Sequence, residues 1–220
     1  LLIFFYINII MTKTFLHVGC GNMTKEYTTP AFNTDDWEEV RADINEDVKP
    51  DIIASMTNMS AIEDNSFDAI YSSHNIEHLF PHEVPLALKE FLRVLKSDGY
   101  LIITCPDLRS VCKEVANNNL TGVLYQSGAG PISAIDILYG LRPSLEDGNH
   151  YMAHKSGFTA DVLRETLIHF GFGRAVIATV PQRYVLWGIA TKGPEDDSEF
   201  LFNTLKSHTT LLQNAQLAKS

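Results

Sequence analysis

The chain has 220 residues, a length that suits one ordinary globular domain with appendages, and its 45% hydrophobic content is enough for a sizeable core. Acidic residues outnumber basic ones by 27 to 17, and the formal charge of −10 disfavours duplex nucleic acid and anionic membranes as partners, leaving small or neutral ones. The 3 cysteines, Cys20, Cys105 and Cys112, are too few and too irregularly spaced for a disulfide framework or a structural zinc site, which points to a reducing, cytoplasmic compartment.

In chain order, Leu1 to Ile10 is an uncharged, mostly apolar leader, too short to span a bilayer and without the basic flank of a signal peptide. Met11 directly precedes Thr-Lys-Thr and the first strand, so the functional polypeptide is expected to begin there, with a domain over 11–192 and a tail over 193–220. Thr14 to Val18 reads as a buried strand that delivers the turn Gly19-Cys20-Gly21, where glycine lets the backbone bend and approach a ligand. Trp37 to Ala42 suits a second strand ending at Asp43, 22 residues after Gly21, where open α/β sheets place an acceptor for a ribose diol.

Asp51 to Ser55 and Phe67 to Tyr71 read as a third and a fourth strand. The period then changes: Val84, Leu88, Phe91, Leu92 and Leu95 share one face of an amphipathic helix, which Ser97-Asp98-Gly99 stops. Tyr100 to Thr104 is a nearly continuous apolar strand of the kind buried on both faces of a parallel sheet, so the alternation predicts a doubly wound, mostly parallel α/β sheet. Glycines and prolines scattered over 117–157 break the rhythm and suggest an insertion lying over the carboxyl ends of the strands. Thr159 is an expected N-cap for a helix ended by Gly171, and Arg174 to Val180 with Tyr184 to Thr191 predicts an antiparallel pair at the sheet edge, making seven strands. The tail is helix-compatible and reads as a peripheral or partner-contacting element.

Taken together, His17-Val-Gly-Cys-Gly21, Asp43, Asp64-Asn-Ser-Phe-Asp68, Ser72-Ser-His-Asn-Ile-Glu-His78 and Leu92-Arg-Val-Leu-Lys-Ser-Asp-Gly99 resemble the class I S-adenosylmethionine-dependent methyltransferases. The resemblance implies a Rossmann-like methyltransferase fold. It implies S-adenosylmethionine as cofactor, with the glycine turn (His17, Gly19, Cys20, Gly21) along its methionine part and Asp43 with Ile44 at the ribose. It further implies Ser55, Met56 and Thr57 near adenine and Ser73, His74 and Asn75 facing the sulfonium and the acceptor. The chain departs from the pattern at His17, where an acid is usual, at Met23, where a third glycine is usual, and at Ser55, where an acid often meets the adenine amine.

Methyl transfer from a sulfonium needs alignment in a dry pocket and no metal, and a hydroxyl acceptor benefits from a general base, for which neutral histidine is suited. His74, His78, His150 and His154 are the candidates, with the cluster Asn149 to Lys155 at the expected mouth of the site. The absence of Asn/Asp-Pro-Pro-Tyr after the fourth strand, where Ser72 to Asn75 stands, lowers amino-directed methylation and favours a small-molecule acceptor. Three other readings stay open. One is a nicotinamide oxidoreductase, disfavoured because Thr24 stands where its third glycine belongs; another is a non-catalytic S-adenosylmethionine-binding regulator. The third is a zinc hydrolase using His74, Glu77 and His78 on one helix face.

Overall fold

The computed structural model describes residues 12–193 and 198–212, so the leader expected at 1–10 lies outside the described residues. Its strands are β1 (Lys13–Val18), β2 (Trp37–Asp43), β3 (Ile52–Ile53), β4 (Phe67–Ser73), β5 (Leu95–Pro106), β6 (Val123–Ser127), β7 (Gly130–Ser133), β8 (Arg174–Val180) and β9 (Val185–Thr191). Seven of them form one sheet in the order β3-β2-β1-β4-β5-β9-β8. The first five run parallel, while β9 pairs antiparallel with both β5 and β8. The order reverses at β1, so the crevice at the carboxyl ends of β1 and β4 is the switch point where such sheets bind ligands.

The alternation of β1 decides which layer each side chain joins. Leu16 and Val18 face a core closed by α1 (Val84–Val94) and α5 (Ala160–His169), through Leu88, Phe91, Leu163 and Leu167. Phe15 points the other way, into a second core with Phe32, Trp37 and Tyr71. On that face the β1–β2 crossover supplies only a 3-10 turn at Lys25–Tyr27 where an α-helix would ordinarily sit. Aromatic packing takes its place: Phe32 stacks on Phe15 at 4.3 Å between ring centroids and meets Trp37 edge-on at 5.0 Å.

The rest of that cover comes from the tail. Helix α6 (Ser198–His208) buries Leu201, Phe202 and Leu205 in the second core, and His208 bonds Thr29 Oγ1 at 2.9 Å. The tail is therefore part of the sheet's packing rather than a peripheral element. After β5 the chain forms α2 (Leu108–Ala116), capped by the Asp107 carboxylate, then the β6–β7 hairpin, α3 (Ala134–Tyr139) and α4 (Arg142–Glu146). These pieces share a small core of Val111, Ile132, Ala134 and Ile137, so the stretch read as an irregular insertion has packing of its own.

Candidate active site

The site begins where β1 ends. Gly19 and Gly21 have φ of +65° and +51°, the left-handed region that side-chain-bearing residues avoid. A Cβ at Gly19 would collide with the side chain of Asn75, whose Nδ2 donates to Val18 O at 3.0 Å. A Cβ at Gly21 would meet no atom within 4 Å and would project into open space. Arg41 on β2 fixes the turn from behind, donating from Nη2 to Gly21 O at 2.6 Å and from Nε to Met23 O at 3.0 Å. Asp43 closes it from the side: Oδ2 accepts from Gly21 N at 2.8 Å and Oδ1 from Asn45 N at 2.9 Å. A carboxylate has about four acceptor positions, so two backbone bonds leave capacity for a diol.

The cleft over this turn has a volume of about 460 Å³ and is lined at one end by Gly19, Gly21, Asp43, Ile44 and the Ser55-Met56-Thr57 turn. That volume falls within the roughly 300–1,000 Å³ typical of small-molecule sites. At the other end stand His74, Asn75, His78, Tyr151, Met152 and Lys155, so the expected ribose, adenine and acceptor residues share one cavity with the end of the insertion.

Five residues expected at the site lie off its lining: His17, Cys20, Ser73, His150 and His154. Strand alternation turns His17 toward the second core beside Tyr71, where its Nδ1 lies 2.6 Å from Glu39 Oε1. Glu39, on β2, is also absent from the cleft lining, and its other oxygen accepts from Lys25 N at 2.7 Å. Cys20 is buried, and burial raises its thiol to about 11, keeping it protonated. Ser73 pairs with Thr104 Oγ1 at 2.8 Å, and His150 is exposed at the start of a 3-10 turn, leaving Tyr151 and Met152 to face the cleft.

After β4 the chain makes a sharp bend rather than a helix. His74 takes φ of +50° and Ile76–His78 forms a single 3-10 turn. The zinc-hydrolase reading required His74 and His78 one helical turn apart, so that arrangement is absent. What the bend does instead is bury Glu77 completely, 1% exposed, with no hydrogen bond to either carboxylate oxygen. Its backbone carbonyl accepts from Lys155 N and Ser156 N at 2.8 and 3.1 Å, which pins the end of the insertion against it.

His154 arrives by that route. Its Nδ1 lies 2.7 Å from Ile137 O, and its ring meets that of His78 at 4.9 Å. Burial lowers the His154 pKa from its ordinary value, so the ring is neutral near pH 7. Burial pushes the Glu77 carboxyl up, and the His74 and His78 imidazoles outweigh it, holding the group below the usual carboxylate range. His74 Nδ1 is 3.4 Å from Glu77 Oε1, an attraction that makes no hydrogen bond.

Comparison with known proteins accords with this geometry. Residues 16–103, which span β1 through most of β5, match the family model described as a methyltransferase domain. Over these residues the chain is similar to methyltransferase domains. Among solved structures, a Pyrococcus horikoshii protein superposes on this chain with a TM-score of 0.54 and 18% identity, over 83% of this chain and 84% of that one. An S-adenosylmethionine-dependent methyltransferase of Methanosarcina mazei gives 0.53 and 17%, over 84% and 94%. The 1,6-didemethyltoxoflavin-N1-methyltransferase of Burkholderia thailandensis gives 0.52 and 14%, over 82% and 71%; that enzyme was solved with 1,6-didemethyltoxoflavin and S-adenosylhomocysteine bound. No curated protein matches the chain by sequence. The matched model is a methyltransferase one, which speaks for methyl transfer over the nicotinamide reading of the same sheet and carboxylate. No described helix is long and apolar enough to cross a membrane.

Arg41, Glu39 and the meeting of Glu77 with His154 were not legible in the sequence. A lone arginine within a strand carries no signal of a turn clamp, and 77 residues separate Glu77 from His154.

Proposed function

We propose that the protein is a cytoplasmic S-adenosylmethionine-dependent methyltransferase acting on a small-molecule acceptor, with donor and acceptor meeting between the glycine turn and His74. The observation that carries this reading is the single cleft in which Asp43, the Gly19–Gly21 turn and Ser55–Thr57 stand opposite His74, His78 and Tyr151–Lys155. S-adenosylmethionine supplies an electrophilic methyl group on a sulfonium.

The chain's own residues do the rest. Asp43 accepts the two ribose hydroxyls while the turn, without a Cβ at Gly19 and Gly21, lies along the methionine part. Ser55, Met56 and Thr57 flank the adenine, and Ile44, exposed beside Asp43, covers the ribose. His74, whose side chain is half exposed in the cleft, takes the proton of a hydroxyl acceptor through a ring nitrogen. Tyr151 and Met152 shield that end from water. His150, exposed and off the cleft lining, is the weaker candidate for the proton transfer. The formal net charge of −10 is consistent with an acceptor other than nucleic acid.

The test is a calorimetric titration of S-adenosylmethionine and S-adenosylhomocysteine into the full chain, followed by a screen of hydroxylated and aminated small molecules. Binding of both with turnover of at least one acceptor supports the proposal. Binding without turnover of any acceptor supports the non-catalytic reading, and no binding of either overturns both.

A further inference from the structure

We propose that Glu77, His78 and His154 bind a divalent first-row transition-metal ion at the acceptor end of the cleft. The three offer ligand atoms that all lie within 4.8 Å of one another, on two segments that meet only in the folded chain. Glu77 is the decisive member. A buried carboxyl group with neither oxygen hydrogen-bonded is costly to fold; His74 Nδ1, 3.4 Å from Oε1, makes no hydrogen bond to it, and a metal ion is a partner that both oxygens can reach.

The histidines are presented as ligands ought to be. His78 Nδ1 lies 3.2 Å from Ala153 O and His154 Nδ1 lies 2.7 Å from Ile137 O. A carbonyl only accepts, so Nδ1 is the hydrogen-bearing nitrogen toward it in each ring, and Nε2 is the atom left to meet a metal; backbone carbonyls orient metal-binding histidines in this way. Two imidazoles and a carboxylate suit Zn²⁺, Fe²⁺ or Co²⁺ and offer too few oxygens for Mg²⁺ or Ca²⁺. A tetrahedral ion with bonds near ~2.1 Å needs ligands about 3.4 Å apart, so side-chain rotation of about an ångström accompanies binding.

His78 and His74 line the cleft, so the remaining coordination position opens toward it. An oxygen-bearing acceptor there would have its hydroxyl polarised by the ion. That use of the ion rests on the methyl-transfer reading above; the site itself does not.

The experiment strips the full-length protein with a chelator and titrates it with Co²⁺, whose visible absorption reports coordination, with Zn²⁺ as competitor and Mg²⁺ as a separate arm. One equivalent of Co²⁺ is expected to give the absorption bands of a low-coordinate nitrogen and oxygen site, lost on adding Zn²⁺ and absent with Mg²⁺. Glu77→Gln, His78→Gln and His154→Ala are each expected to weaken Co²⁺ binding by about 100-fold or more, while His169→Ala, at an exposed histidine on α5, leaves it unchanged. The wild-type titration stands even if one variant fails to fold. No such bands from the wild type, or bands that survive in all three variants, would overturn the site. S-adenosylhomocysteine binding by the chelated protein, measured alongside, separates the two proposals: retained binding with no cobalt signal sinks only the metal site, and a cobalt signal without it sinks only the methyl-transfer reading.

Discussion

Asp43 stands at the junction of fold and function, because the carboxylate that braces Gly21 N and Asn45 N is also the one proposed to take the ribose. Charge-assisted hydrogen bonds contribute about 1.5–3 kcal/mol each, so loss of two predicts that Asp43→Ala weakens S-adenosylhomocysteine binding by about 100-fold or more, read by calorimetry. Unchanged affinity would falsify the cofactor placement. Gly19→Ala is expected to cost about 1–3 kcal/mol and lower the melting temperature, since alanine must hold a positive φ and displace Asn75. The sequence made both residues legible, because a Gly-x-Gly after a strand and an acid ending the next strand are local signals. His17 was legible as a departure but not as half of a pair. Its partner Glu39 depends on the in-register placement of β1 beside β2, which spacing does not specify. His17→Asp, facing Glu39 in a buried site, is expected to destabilise by about 3 kcal/mol or more. The exchange His17→Asp with Glu39→His should restore most of that in a thermal melt, though not the bond from Lys25 N.

Among the elements, periodicity served best where a segment packs by one simple face. The helix expected from Val84 is α1 at Val84–Val94, and the strands expected at Trp37 and Arg174 begin there as β2 and β8. It failed where side chains rather than repeat determine the shape. The bend at His74 depends on one left-handed residue, and α2 and α3 are short pieces that share a core of residues some twenty positions apart. The same holds for α6, whose role follows from the helix missing between β1 and β2. Leu205, fully buried in the second core, is the test of that role. Leu205→Ala is expected to cost about 2–5 kcal/mol and to lower the melting temperature by roughly 5–15 °C, whereas a tail lying free on the surface would leave it unchanged.

For the whole molecule, the contact between tail and sheet carries a pH dependence. Burial pushes the His208 pKa down to about 4, and the groups facing the ring are Thr29 Oγ1 and the Tyr100 hydroxyl, with Phe32 against it. The folded state therefore refuses a proton that the unfolded chain accepts near pH ~6.5. Stability from this group is complete above about 6.5 and is lost as pH falls toward about 4, by an amount on the order of 3 kcal/mol. Denaturant titrations at pH 7 and pH 4.5 should show that loss in the wild type and a smaller one in His208→Phe.

The tail helix also sets a timetable. The bond between Thr29 and His208 joins positions 179 apart, and the core containing Phe15 and Phe32 is not closed until α6 arrives. At about 5–20 residues per second, synthesis leaves that aromatic face of β1 uncovered for roughly 10–40 s. During that interval Phe15, Phe32 and Trp37 lack the cover that Leu201, Phe202 and Leu205 give them in the folded chain.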